Sequence, residues 1–60
     1  MIFYKHDDPN FTLTAYIEGE KEPIAWIDET PQGWELHDYI IIHTYPTFAE
    51  IQKEIESRYS

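Results

Sequence analysis

Phe11-Thr12-Leu13-Thr14-Ala15-Tyr16-Ile17-Glu18 is the stretch that decides the fold class of this chain of 60 residues. Phe11, Leu13, Ala15 and Ile17 fall on one side of it, and Thr12, Thr14, Tyr16 and Glu18 on the other. A period of two with one apolar side is the signature of a strand that buries a single face. On its N-terminal side, Asp7-Asp8-Pro9-Asn10 puts Pro and Asn at the centre of a type I turn. Before that turn, Ile2-Phe3-Tyr4-Lys5-His6 reads as a first, short strand. On its C-terminal side, the polar loop from Glu18 to Glu22 leads into a third strand over 23–28. Pro23 opens that strand, where the missing N–H is tolerated.

Thr30-Pro31-Gln32-Gly33 is the next turn, with Pro second and Gly fourth. The fourth and longest strand follows, from Trp34 to Tyr45. Strict alternation there sends Trp34, Leu36, Ile40 and Ile42 inward and leaves Asp38 among them, which is costly for an unpaired carboxylate. A bulge at His37-Asp38 would carry Asp38 outward, and so would a tight turn splitting the segment. The expectation is one bulged strand over 34–45. After Pro46, Thr47-Phe48-Ala49-Glu50 fits a capping box, and Phe48, Ile51 and Ile55 recur at helical spacing. A helix over 47–58 follows, with Glu54 and Arg58 four apart in the favourable order.

Together these elements predict an α+β fold over 1–60. It is an antiparallel sheet of about four strands in meander order, with one C-terminal helix packed on one face. The expected core is Phe11, Leu13, Ile17, Trp26, Ile40, Ile42, Phe48, Ile51 and Ile55. Nine Ile, two Leu and three Phe lift the aliphatic and Phe content just above the roughly 20% below which disorder is the default. Two Trp and five Tyr add more apolar area. A domain this short buries only about 60% of its unfolded surface, and without cysteine it must rely on packing or on a second copy. The absence of cysteine fits a reducing, cytoplasmic setting. Neither a signal peptide nor a membrane span is expected from the apolar pattern.

Twelve Asp and Glu face four Lys and Arg, a formal charge of −8. Each phosphate contact needs a cation, so nucleic acid and anionic membranes are poor direct ligands. A basic protein partner suits the charge, for instance a nucleic-acid-binding enzyme. In a meander the first and third turns share one end of the sheet. That brings Asp7 and Asp8 near Asp28 and Glu29, on the order of 10 Å apart. Glu18, Glu20 and Glu22 mark the other end, and Glu50, Glu54 and Glu56 the outer side of the helix. Carboxylates spaced on a rigid scaffold could occupy a groove built for phosphates, and the alternative use of such charge is solubility alone.

A regular strand over 34–45 would also display Glu35, His37, Tyr39, Ile41, His43 and Tyr45 in one row. Thr14 and Tyr16 could extend it. Tyr39, Ile41 and Tyr45 are the residues of that row expected at an interface, since Tyr brings large area at small entropic cost. This defines a second reading, a small homodimeric or scaffold interaction protein. His6, Asp7, Asp8, His37, Asp38 and His43 are metal-ligand types, but their spacing matches no site, so no metal or cofactor is expected. No catalytic residues are assigned: Glu35 with Asp38 is uninformative among twelve carboxylates, and two Gly cannot build a phosphate loop. The chain is read as a binding protein and not an enzyme. In size and charge it is similar to the small acidic proteins with which phages and mobile elements inhibit host DNA-binding enzymes, a likeness of class that no motif carries.

Overall fold

The computed structural model describes residues 1–38 and 41–59. Five strands, β1 (Ile2–Lys5), β2 (Leu13–Ile17), β3 (Pro23–Thr30), β4 (Gly33–His37) and β5 (Ile42–Tyr45), precede one helix, α1 (Phe48–Tyr59). They form a single antiparallel sheet in the order β1-β2-β3-β4-β5. The fold is therefore the expected α+β meander with a C-terminal helix, but with five strands.

The extra strand comes from Trp34 to Tyr45, which is not one bulged strand. The Asp38 N–H donates to the Ile41 carbonyl at 3.2 Å, and the Ile41 N–H donates to Asp38 Oδ1 at 2.8 Å. β4 and β5 are therefore antiparallel neighbours and not one continuous strand, and His37 pairs with Ile42 and Leu36 with His43. Reversal removes the conflict that alternation posed, because Asp38 leaves the sheet. Its Oδ2 takes a hydrogen bond from Arg58 Nη1 at 2.9 Å. Arg58 Nε also donates to Glu54, at 3.0 Å. Partial burial would lower the pKa of Arg58, but the hydrogen bonds to Glu54 and Asp38 outweigh it and raise the pKa.

Reversal also flips the parity of everything beyond Asp38. Leu36 is buried, whereas Ile42, placed on the same side by strict alternation, is 60% exposed on the opposite face. Ile42 is thus not a core residue. Ile40, also expected in the core, lies outside the described residues, as does Tyr39.

The other turns follow their sequences. The Phe11 N–H donates to Asp8 O at 3.2 Å across Pro9-Asn10, and the Asn10 N–H donates to Asp8 Oδ1 at 2.9 Å. Gly19, with φ +90°, supplies the left-handed position after β2. At the β3–β4 turn Thr30 Oγ1 donates to Gly33 O at 3.0 Å. Gly33 has φ +138°, and a Cβ there would meet Tyr45 O at 3.0 Å. Gly33→Ala should therefore cost on the order of 1–3 kcal/mol. Urea unfolding checks this, and a midpoint equal to that of the parent would contradict it.

The helix covers one face of the sheet. Ala15, Ala25, Ile27 and Leu36 from the strands and Ile51 and Ile55 from α1 form the buried cluster. Ile2, Tyr4, Leu13, Ile24, Trp34, Tyr45 and Phe48 pack around it. Ala15 lies directly opposite Ala25, and two such small side chains leave room for the helix to approach. The Tyr4 ring meets Phe48 edge-on at 5.2 Å. Burial of its hydroxyl raises the Tyr4 pKa, with help from Glu56. At the start of α1 the Glu50 N–H donates to Thr47 Oγ1 at 3.3 Å, the first half of the expected capping box.

Two further core expectations fail for identifiable reasons, and a third, Ile17, is met only in part. Ile27, not Trp26, points at the helix, because β3 is in register with Leu13 and Leu36 at Ile27. Phe11 precedes β2, so strand parity does not govern it, and its ring lies with Trp26 and His37 on the other face. Ile17 is only half-buried at the end of β2.

Candidate functional site

The sheet face away from α1 carries the residues that the helix leaves uncovered. Cross-strand register sets Phe3 beside Tyr16, Thr14 between Lys5 and Trp26, Trp26 beside His37, and Asp28 beside Glu35. The Phe3 and Tyr16 rings stack with centroids 5.5 Å apart. Lys5 Nζ lies 5.7 Å from the Phe3 centroid and 5.4 Å from that of Tyr16, within cation–π range. Phe11 sits 6.3 Å from Trp26 and 5.1 Å from His37. The result is a half-buried aromatic layer of Phe3, Tyr16, Phe11 and Trp26 on the open side of a one-helix fold.

Carboxylates border this layer, and hydroxyl donors fix them in place. Tyr16 Oη donates to Asp7 Oδ2 at 2.5 Å. That hydrogen bond is the main reason the Tyr16 pKa is raised, followed by desolvation and the charges of Asp7 and Asp8. Thr12 Oγ1 donates to Asp28 Oδ1 at 3.2 Å and accepts from the Glu29 N–H at 2.9 Å. The first loop is thereby tied to β3, at the end of the sheet where Asp7, Asp8, Asp28 and Glu29 were expected to gather, although Asp28 faces the open side and Glu29, opposite Trp34, the helix side. Glu35 Oε1 lies 3.1 Å from His37 Nε2.

Asp28 and Glu35 are directly opposite on adjacent antiparallel strands. Like charges in that relation destabilise a sheet by a few tenths to about 1 kcal/mol, so an added cation beside them would be welcomed. Glu35 was expected in the Tyr row and not among the acidic binding residues. The signal that would have found it is the turn Thr30-Pro31-Gln32-Gly33, which sets the β3–β4 register.

The remaining candidates are distributed elsewhere. Glu18, Glu20 and Glu22 are exposed at the far end of the sheet. Glu50 is exposed on α1, whereas Glu54 is engaged by Arg58. The expected row from Glu35 to Tyr45 does not form: Glu35 and His37 are on the open face, while His43 and Tyr45 are on the helix face. Ile41 is 51% exposed. His37 and His43 lie on opposite faces, and His6 Nδ1 is 2.8 Å from Thr12 O. Among the described residues no three His, Asp or Glu side chains are grouped to hold a metal ion. Nor is any described helix long and apolar enough to cross a membrane.

Thr14 sits beneath the aromatic layer, 1% exposed, and its Oγ1 has no hydrogen-bond partner among the described residues. A buried, unsatisfied hydroxyl costs about 1–3 kcal/mol. Thr14→Val, which keeps the shape and removes the orphan oxygen, should raise stability by about 1 kcal/mol. A higher melting temperature tests it, and a lower one would mean that the hydroxyl is satisfied in solution.

No protein-family model, curated protein or solved structure matches the chain.

Proposed function

We propose that this chain is a non-enzymatic protein-binding module whose open sheet face and adjoining acidic end receive a basic partner. The observation that carries the reading is the Asp28–Glu35 pair beside the aromatic layer. Two carboxylates held opposite one another, next to rings that accept cations on their faces, suit an Arg or Lys side chain presented by a partner. Asp7 and Asp8 extend the negative surface at that end, Glu29 adds charge there from the helix side of β3, and the net charge of −8 steers basic surfaces toward it.

A partner whose own ligand is a nucleic acid fits this chemistry best. Its groove already presents cations at spacings suited to phosphates, so the bound module would compete with DNA or RNA by occupying the groove. Phage- and mobile-element-encoded inhibitors that mimic nucleic acid are the functional class in view. The reading in which charge serves only solubility, with a sticky Tyr39, Ile41 and Tyr45 face, draws less support, because Tyr45 packs on the helix side.

The test is a pull-down with the tagged chain at low and high salt. Basic, nucleic-acid-binding proteins should be captured at low salt and released at high salt, and added DNA or RNA should compete them off. Recovery of acidic partners alone, or direct binding of DNA by the chain, would sink the proposal. Tyr39→Ala with Ile41→Ala should leave capture unchanged; loss of capture would favour the second reading.

A further inference from the structure

The edges of the sheet are unequal. The β1 edge ends in Lys5, a residue type that discourages edge-to-edge pairing. The β5 edge, Ile42-His43-Thr44-Tyr45, contains no Asp, Glu, Lys or Arg in a chain where 27% of residues are charged. Ile42 is 60% exposed and the neighbouring Ile41 51% exposed. Short length and the following Pro46 are the protections this edge shows among the described residues.

Beside the same edge, on the helix side, lies a shallow trough lined by Tyr45, Glu50, Lys53, Glu54 and Ser57. Its wall is one flank of α1 with charges in the order minus, plus, minus. Glu50 and Lys53 are both exposed, and neither makes a salt bridge among the described residues.

We infer that the β5 edge pairs with the β5 edge of a second copy, antiparallel about a two-fold axis, joining two sheets into one. An isologous contact must be self-complementary, and this surface is. Ile42 and Thr44 meet their counterparts on the open face, and the edge N–H and C=O groups pair with each other. The helix flanks face across the shared trough in opposite directions, which turns Lys53 of each copy toward the acidic positions of the other. A domain of 60 residues without disulfides is the size for which such association adds most to stability. The dimer sets two open faces side by side, yet its existence does not depend on what those faces bind.

Charge gives the dimer a signature. Each copy carries −8, so screening should tighten self-association, whereas binding of a basic partner should weaken with salt. Sedimentation equilibrium of the full chain, as a concentration series at about 0.05 and 0.5 M salt, should show a monomer–dimer equilibrium that favours dimer at the higher salt. Ile42→Lys should weaken the dimer by about tenfold or more, while its melting curve in solution dilute enough to be monomeric stays that of the parent. It lowers the net negative charge, so an effect of charge alone would go the other way. Lys53→Glu and Glu50→Lys should each self-associate less than the parent, and mixing the two should restore a heterodimer. A chain that stays monomeric at every concentration and both salts, or a dimer indifferent to Ile42→Lys, overturns the proposal. A dimer indifferent to Lys53→Glu overturns the two-fold arrangement.

Discussion

Ile51→Ala should leave most of the chain unfolded at 25 °C. Ile51 is fully buried, and it packs in the one cluster that joins the helix to the sheet, with Ala15, Ala25, Ile27, Leu36 and Ile55. Truncating a buried Ile to Ala costs about 2–5 kcal/mol, from lost transfer energy and from the cavity left behind. A single core in a domain this small rarely supplies more than about 3–5 kcal/mol in total. The two ranges overlap, so one substitution is enough to tip the balance. The helix has no reserve of its own, since twelve residues are marginal as an isolated helix in water. Ile51→Val, costing about 0.5–1.5 kcal/mol, should remain folded, with its melting temperature lowered by several degrees. Circular dichroism melts of both variants decide the matter. Ile51→Ala melting within a few degrees of the parent would mean that the helix is not the lid of this core.

The same cluster shows which parts of the fold are legible in the sequence and which are not. Leu13, Ala15 and Ile17 alternate without interruption, and their strand lies where alternation puts it. Phe48, Ile51 and Ile55 stand at helical spacing behind a Thr47 cap, and the helix forms there. Both signals are local and redundant over several residues. The reversal after His37 is different. Asp38-Tyr39-Ile40-Ile41 contains neither Gly, Asn nor Pro, so the usual marks of a tight hairpin are missing, and five of the six residues from 37 to 42 are good strand formers or His. Only Asp38 hints at it, as a short side chain able to bond a backbone N–H three residues on. That single misread turn inverts the facing of every residue from Ile42 to Tyr45, because side chains in strands have a period of two.

Trp26 illustrates a second kind of limit. Size favours placing a Trp inside, but β3 must present Ala25 and Ile27 to the helix to stay in register with Ala15 and Leu36. The larger residue is then left on the face without a helix, where it meets Phe11. No local pattern in Pro23-Ile24-Ala25-Trp26-Ile27 distinguishes the two facings. Pairing with neighbouring strands does. The candidate site inherits this property: turn order brings Asp7, Asp8, Asp28 and Glu29 to one end, whereas register alone sets Glu35 beside Asp28 and turns Glu29 to the helix face.

Reversing Asp7, Asp8, Asp28 and Glu29 to Lys should abolish capture of a basic partner, and the control that gives this result meaning is a second fourfold variant. Each reversal adds two charges, so four of them bring the formal charge from −8 to zero wherever they are made. Glu18, Glu20, Glu22 and Glu56 to Lys makes the same net change at exposed positions away from the proposed face and from the β5 trough. If net charge alone steers the partner, both variants should lose capture equally. If the first end of the sheet is the site, the first variant should lose capture at all salts, and the second should mainly associate more slowly. Loss of long-range steering lowers association rates by roughly 10- to 1,000-fold at low salt, and the deficit should close as salt rises. Direct contacts do not recover that way, because like charges brought together at an interface cost several kcal/mol. Melting curves guard against trivial unfolding. Asp28 accepts a hydrogen bond from Thr12 and Asp7 one from Tyr16, so the first variant gives up two tethers of the first loop and also relieves the Asp28–Glu35 repulsion. Those effects oppose each other, and each is small beside the burial of the cluster around Ile51. Equal capture by the first variant and the parent would remove the acidic end from the binding surface and leave the aromatic layer to account for it alone.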